Sequence, residues 1–370
     1  MNILIGMLIH NEEDIVAKTL HTLFKQNIFE SKLYRIELII VANACSDNSA
    51  AICRNELKNF SLNTEQFTYQ VIEKDEPGKI PAWNDLIHQY SSNNEKYIIM
   101  MDGDILIQQD NNFETLIQSL ENDQHALIST DLPIKDIHYD QSNHFLKKFS
   151  LGFSKITRKG EGQLCGQLYC ARSSFLRQVI IPKEILIDDT YIKFMACTDG
   201  LLKAVDNSRI INHHSVTHVF EAYTGAKNYF NNQVRQTVGF SMWRIFKTII
   251  KNENSNKSAL EIIREKFEVN PQWLQTKINA YLDERNWYIY EGALSVRFKR
   301  LKRLKTLGKI KMFIPSVAAW LIDLPVILIS NSKIKNARLE KLWQDTKSTK
   351  MAHQADSLVQ LKTKINRQRV

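Results

Sequence analysis

The chain has 370 residues, 44% of them hydrophobic and 24% charged, with a formal net charge of +9. Those values suffice for a sizeable buried core and exclude a disordered chain. The charge is segregated, because residues 235–370 hold 27 Lys and Arg against 11 Asp and Glu and leave the front of the chain acidic. Cys45, Cys53, Cys165, Cys170 and Cys197 are odd in number and form no CxxC pair. They fit a reducing compartment better than a disulfide framework or a zinc site. The N-terminus opens directly on an apolar Met1-Asn-Ile-Leu-Ile run with no basic leader, which reads as a cytoplasmic protein without a signal peptide.

In chain order, the apolar run Ile3–Ile9 predicts a strand and His10-Asn11-Glu12-Glu13-Asp14 a polar loop. Ile15, Leu20, Leu23 and Phe24 then recur at helical spacing, with Asn11 as a candidate cap. Glu37–Val41 is a second strand, followed by the small polar residues Asn43 to Ser49 and a helix over Ala50–Leu57. Phe67–Ile72 is a third strand, followed by Glu76-Pro77-Gly78-Lys79 and a helix through Trp83, Leu86 and Ile87. Strands alternating with helices predict right-handed parallel crossovers and a doubly wound, mostly parallel α/β sheet. The polar loops then share one sheet edge, where open α/β sheets bind ligands. No GxGxxG or GxxxxGK[ST] is present, so neither the dinucleotide fingerprint nor the P-loop is indicated.

The fourth strand, Tyr97–Met101, runs into Asp102-Gly103-Asp104 and a further apolar stretch to Ile107. An unbroken apolar run reads as a strand buried on both faces, and its end carries two carboxylates to the ligand edge. Hard oxygen donors placed together suit Mg²⁺ or Mn²⁺, usually held by one or two carboxylates plus substrate phosphates. A plain Asx turn closing the strand is the simpler alternative.

Ile5–Leu20, Glu37–Ala50, Gly78–Asn84 and the Asp102-Gly103-Asp104 strand together resemble the nucleotide-sugar half of the family 2 glycosyltransferases, over roughly residues 1–240. The resemblance implies a GT-A fold and a nucleotide-sugar donor, with His10, Asn11, Glu12 and Asn43 seating the nucleoside. Asn43 stands where the family carries an acid, which leaves the base unidentified. It further implies that Gly78, Lys79 and Asn84 lie near the diphosphate, that Asp104 binds the metal, and that Asp102 contacts ribose or metal. Asp188-Asp189 follows the apolar Ile185-Leu-Ile187 and opens a helix in which Ile192 and Met195 face inward. N-capping would account for such a pair. By resemblance, Asp189 is the catalytic base and Asp188 its positioning partner, in a single displacement with inversion. His213 or His214 is a further candidate ligand for the cation or the diphosphate. Arg235 keeps the arginine of a Gln-x-x-Arg-Trp motif, but Asn232 and Gln236 replace its glutamine and tryptophan, which argues against processive polymerisation.

Between Asp136 and Gly162 the pattern loosens around Lys147, Lys148, Lys155, Arg158 and Lys159, predicting an acceptor loop, and 204–211 predicts an edge strand. Residues 241–311 predict a helical extension ending in a basic amphipathic helix over 297–311, with Leu294, Phe298, Leu301 and Leu304 on one face. Residues 312–330 are apolar but contain Pro315, Asp323 and Pro325, and read as an interfacial or re-entrant hairpin rather than a span. A polar tail fills 331–370. The expected protein is an inverting, metal-dependent transferase, peripheral or monotopic on the cytoplasmic face of the inner membrane. It would carry a hexose or N-acetylhexosamine to a lipid-linked or saccharide acceptor, and no nucleic acid is expected. A nucleotidyltransferase lacks its Gly-rich loop here, and a non-catalytic module binding membranes or polyanions is the other alternative.

Overall fold

The structure, a computed structural model, describes residues 1–60, 66–136, 161–221, 226–253, 256–301 and 306–336. Two units are present. The first contains the described residues up to 181 together with 192–221. Its elements begin β1 (Asn2–Ile9), α1 (Val16–Leu23), β2 (Arg35–Asn43), α2 (Ser49–Asn59), β3 (Phe67–Lys74), α3 (Lys79–Asp85) and β4 (Tyr97–Asp102). They continue with β5 (Leu106–Ile107), α4 (Asn112–Asn122), β6 (Ile128–Lys135), β7 (Leu168–Arg172) and β8 (Ile210–Phe220). Among the described residues these strands form one sheet in the order β3-β2-β1-β4-β7-β6-β8-β5.

The predicted alternation holds through β4: β1 pairs in parallel with β2 and β4, and β2 with β3. β1 and β4 are buried almost throughout, which is why their sequences are continuously apolar rather than alternating. Helix α1 joins the same core with Val16, Leu20 and Leu23, and α4, against β6, β7 and β8, with Phe113, Leu116, Ile117 and Leu120, each set at one-face helical spacing. Beyond β4 the sheet becomes mixed. β7 is antiparallel to β4 and β6, β8 is parallel to β6, and β5 is antiparallel to β8. The edge strand expected over 204–211 is not there. Asp206 caps the short turn Asn207–Arg209 through Ser208, so pairing starts at Ile210, and β8 lies inside the sheet between β6 and β5.

The second unit holds 182–191 and the described residues from 226 onward, and it is helical. Its helices are Ala226–Asn252, Ala259–Val269, Trp273–Asp283, Val296–Leu301 and Thr306–Lys335. Ser258 and Glu261 form a capping box at the start of the second. Gly239 lets the first helix approach the segment before Asp188, since a Cβ there would meet Ile187 Cγ2 at 2.8 Å. Tyr191 turns its ring edge to Trp243 and Phe246 in the same helix. The hairpin expected around Pro315 and Pro325 is instead a single helix of 30 residues with both prolines inside it. Continuity keeps Ser316, Val326, Ile327, Ser330 and Ile334 on one buried stripe, which a hairpin would break. Most of the acceptor loop, residues 302–305 of the basic segment, and the tail from 337 lie outside the described residues.

The turn after β4 is packed closely against β1. Gly103 N–H donates to Leu8 O at 3.0 Å, Thr19 Oγ donates to Gly103 O at 2.8 Å, and a Cβ on Gly103 would stand 2.3 Å from Ile9 Cγ2. The spacer between the two acids is therefore glycine because β1 occupies the space of any side chain. Gly103→Ala is expected to destabilise the protein by about 1–3 kcal/mol through overpacking, measured as a lowered urea midpoint with an unchanged m-value.

Candidate active site

The loops after β1, β2 and β3 meet at one end of the sheet and are tied together by hydrogen bonds. His10 Nδ1 donates to Asn43 O at 2.6 Å, Glu12 N–H donates to Ser49 Oγ at 2.7 Å, and Ala44 N–H donates to Lys74 O at 2.6 Å. Asn11 is not a helix cap. Its backbone takes φ 54°, and its Oδ1 accepts from Ser46 N–H at 2.8 Å and from the Ser46 hydroxyl at 3.2 Å. Such a left-handed conformation is tolerated by Asn better than by most residues. Asn43 is buried, and its Oδ1 has no hydrogen-bond partner among the described residues. A buried amide oxygen left uncommitted is costly unless a ligand or water meets it.

Gly78 (φ 133°) precedes α3 and directs Lys79 toward the end of β4. Lys79 Nζ lies 2.9 Å from Asp102 Oδ1, with both side chains about one-fifth exposed, at 21% and 22%. Asn84 is engaged with the backbone. Its amide donates to Ile181 O at 2.8 Å and accepts from Ile181 N–H at 3.1 Å, so it braces α3 against the backbone. Asp104 is half-buried beside Asp102. Burial first, and then the Asp102 charge, push its carboxyl up to about 6, with Lys79 and His218 opposing. Two adjacent hard oxygen donors, one of them reluctant to ionise alone, match what a divalent cation relieves. Among the described residues no group of three or more His, Cys, Asp or Glu forms a metal cluster, so the fit rests on this pair.

His213 and His214 do not complete such a cluster with the acids. His214 is exposed, whereas His213 is half-buried and its Nε2 has no partner among the described residues. Burial holds the His213 ring below the usual imidazole range. A third histidine, outside every motif above, is more constrained. His218 in β8 is fully buried, its Nδ1 lies 2.8 Å from Asp131 Oδ1, and its Nε2 lies 3.5 Å from Gln167 Oε1. Burial alone would favour the neutral ring, but the Asp131 carboxylate and the Cys165 thiol outweigh it and raise the ring to about 10. Asn112 donates to the second Asp131 oxygen at 2.9 Å, and the Gln167 carbonyl accepts from Asp102 N–H at 2.9 Å. The available signal was an acid in the buried half of β6 and an imidazole between the β-branched and apolar residues that end β8.

Asp188 and Asp189 open the helix Asp188–Cys197 as its first-turn acids, and Ile192 and Met195 are buried as expected. Asp189 Oδ1 accepts from Thr190 N–H at 2.6 Å. Within the second unit, Arg235 stands one turn before Gly239, the residue that touches Ile187.

Residues 4–181 match the profile of glycosyl transferase family 2. Among solved structures, the chain is similar to a mannosyltransferase from Pyrobaculum calidifontis in complex with GDP-Man and Mn²⁺, with 15% identity, TM-score 0.52, and 90% of this chain and 86% of that one covered. It also matches Staphylococcus aureus TarS 1–349 in complex with UDP-GlcNAc, with 11% identity, TM-score 0.47, and 93% of each chain covered. A third match is glucosyl-3-phosphoglycerate synthase from Mycobacterium tuberculosis in complex with Mg²⁺ and UDP, with 11% identity, TM-score 0.39, and 65% and 78% covered. The likeness to the first of these is one of fold. No curated protein sequence matches significantly.

The raised Asp104 carboxyl has a measurable sign. An acid whose folded value exceeds its unfolded value contributes stability below the unfolded value and loses it as pH rises through the folded one. In metal-free buffer the wild type should therefore lose up to about 3 kcal/mol relative to Asp104→Asn between about pH 4 and pH 7. Paired urea melts across that range check this, and parallel curves for the two proteins would contradict it.

Proposed function

We propose that this chain, whose residues 4–181 match the profile of glycosyl transferase family 2, is a glycosyltransferase that moves one sugar from a nucleotide-activated donor to a hydroxyl acceptor with inversion at the anomeric carbon. The observation that carries this is the Lys79–Asp102 contact beside half-buried Asp104, at the edge where three parallel strand ends are tied together. His10, Asn11, Glu12 and Asn43 form the nucleoside seat, with the free Asn43 oxygen offered to the base. Lys79 turns from Asp102 toward the diphosphate when the donor enters, and Gly78, at a φ of 133° that side-chain-bearing residues rarely adopt, sets the turn that presents it. A divalent cation, Mn²⁺ or Mg²⁺, held by Asp104 and Asp102 would supply positive charge against the diphosphate leaving group. Arg235 and His213 are the further candidates for contact with that diphosphate.

Asp189 accepts the proton of the attacking acceptor hydroxyl, and Asp188 positions it. No second carboxylate has to act as nucleophile, because a single displacement inverts the centre. The acceptor is proposed to be a lipid-linked or cell-surface saccharide precursor at the cytoplasmic face of a membrane. Support comes from the basic segment over 297–311 and from Pro315–Lys335, whose mean hydropathy of 1.5 is high enough for a membrane segment.

A screen of nucleotide sugars with Mn²⁺, read by donor hydrolysis and by label transferred to membrane extracts, tests this function. Asp189→Asn should lose about 10²–10⁴-fold in transfer while retaining affinity for the nucleoside diphosphate, and Asp104→Asn should lose both. Full activity of Asp189→Asn would assign the base elsewhere, and a chain that hydrolyses no donor but still binds membranes would be a non-catalytic module.

A further inference from the structure

The helix Thr306–Lys335 is apolar on two opposite sides, and its own unit covers one of them. On the covered side Ser330 Oγ reaches Val234 O in the helix Ala226–Asn252 at 3.5 Å, and Asn331 Oδ1 accepts from Tyr288 N–H at 2.8 Å. Val326, Ile327 and Ile334 are buried along the same stripe. On the other side Phe313, Leu321 and Leu328 are 54%, 56% and 62% exposed. At 3.6 residues per turn they fall within about 80° of one another, and Ile322 and Ile329 widen the exposed apolar face to about half the circumference of the helix. A contiguous face of large exposed apolar side chains marks a surface that something covers.

We propose that this outward stripe beds into an anionic bilayer leaflet with the helix axis in the membrane plane. This rests on the membrane reading given above and adds the face, the orientation and the lipid charge. Charge complementarity identifies the occupant. Residues 297–336 carry ten Lys and Arg and a single acid, Asp323. Lys309 and Lys311 precede the apolar stretch, and Lys333 and Lys335 follow it. Cations at both ends of an apolar stripe suit a helix lying in the interface, where their stems snorkel to anionic headgroups. A second copy of the chain would instead bring ten cations against ten. A crossing orientation is disfavoured by the helix on the covered side. That neighbour carries Lys227, Arg235, Arg244, Lys247 and Lys251, which would have to follow into hydrocarbon.

The test is flotation of the full chain with phosphatidylcholine vesicles, alone or with about one-third phosphatidylglycerol. The wild type should float with the anionic vesicles only and be released by salt. Leu321→Glu with Leu328→Glu should bind at least ~10-fold more weakly, whereas Leu202→Glu with Val205→Glu, at exposed apolar residues of the first unit, should bind as the wild type does. Unchanged circular dichroism and light scattering establish that the variants fold. Undiminished flotation of Leu321→Glu with Leu328→Glu would overturn the face, and so would an effect confined to halving the particle mass, which would mean a second copy. Failure of the wild type to float would overturn the membrane reading too. Donor hydrolysis, assayed without lipid, reports separately on the transferase chemistry.

Discussion

The approach of Gly103 to β1 is the constraint on which the rest of the site depends. The peptide between Asp102 and Asp104 is held by the Leu8 carbonyl on one side and the Thr19 hydroxyl on the other, with Ile9 filling the space of a side chain. Because the turn cannot move away from β1, its two flanking acids cannot separate. One is left where Lys79 reaches it, and the other is left half-buried and short of compensating charge. Buried charge of one sign is unfavourable unless something opposite meets it. Selection for a cation and a diphosphate at this place would explain why such an arrangement persists.

The surrounding charges are consistent with that view. Asp131 holds His218 in its charged form, Asn112 orients Asp131, and Gln167 links the imidazole region to the Asp102 backbone. Lys79 and His218 thus oppose the two acids of the turn from different elements, and both lower the Asp104 value without restoring it to the ordinary carboxylate range. The loops of β1 and β2, zipped by Asn11, Ser46, Glu12 and Ser49, form a firm platform beside this charge cluster. Preorganised polar groups of this kind act without reorganisation when charge develops on a leaving group.

Much of the first unit was legible in the sequence because parallel strands buried on both faces are written as unbroken apolar runs. Ile3–Ile9 and Tyr97–Met101 announce β1 and β4, and the polar residues after each announce the ligand edge. What periodicity could not give was pairing. The antiparallel insertion of β7 beside β4 and the interior place of β8 depend on long-range partners that no local pattern encodes. The same limit applied to His218, whose meaning comes from an aspartate 87 residues earlier. Nor does any motif reveal that the Asn11 and Asn84 side chains hold the Ser46 and Ile181 backbones, which is set by loop geometry. Pro315 and Pro325 suggested a break that tertiary packing along the buried stripe overrides.

The most direct measurement is Mn²⁺ electron paramagnetic resonance, titrating the protein into free Mn²⁺ with and without a nucleoside diphosphate. If Asp102 and Asp104 form the cation seat and substrate phosphates complete it, the free-ion signal should fall steeply when the diphosphate is present. It should fall no further than the nucleotide alone explains when Asp104→Asn is used. An equal fall with Asp104→Asn would place the cation elsewhere and contradict the account.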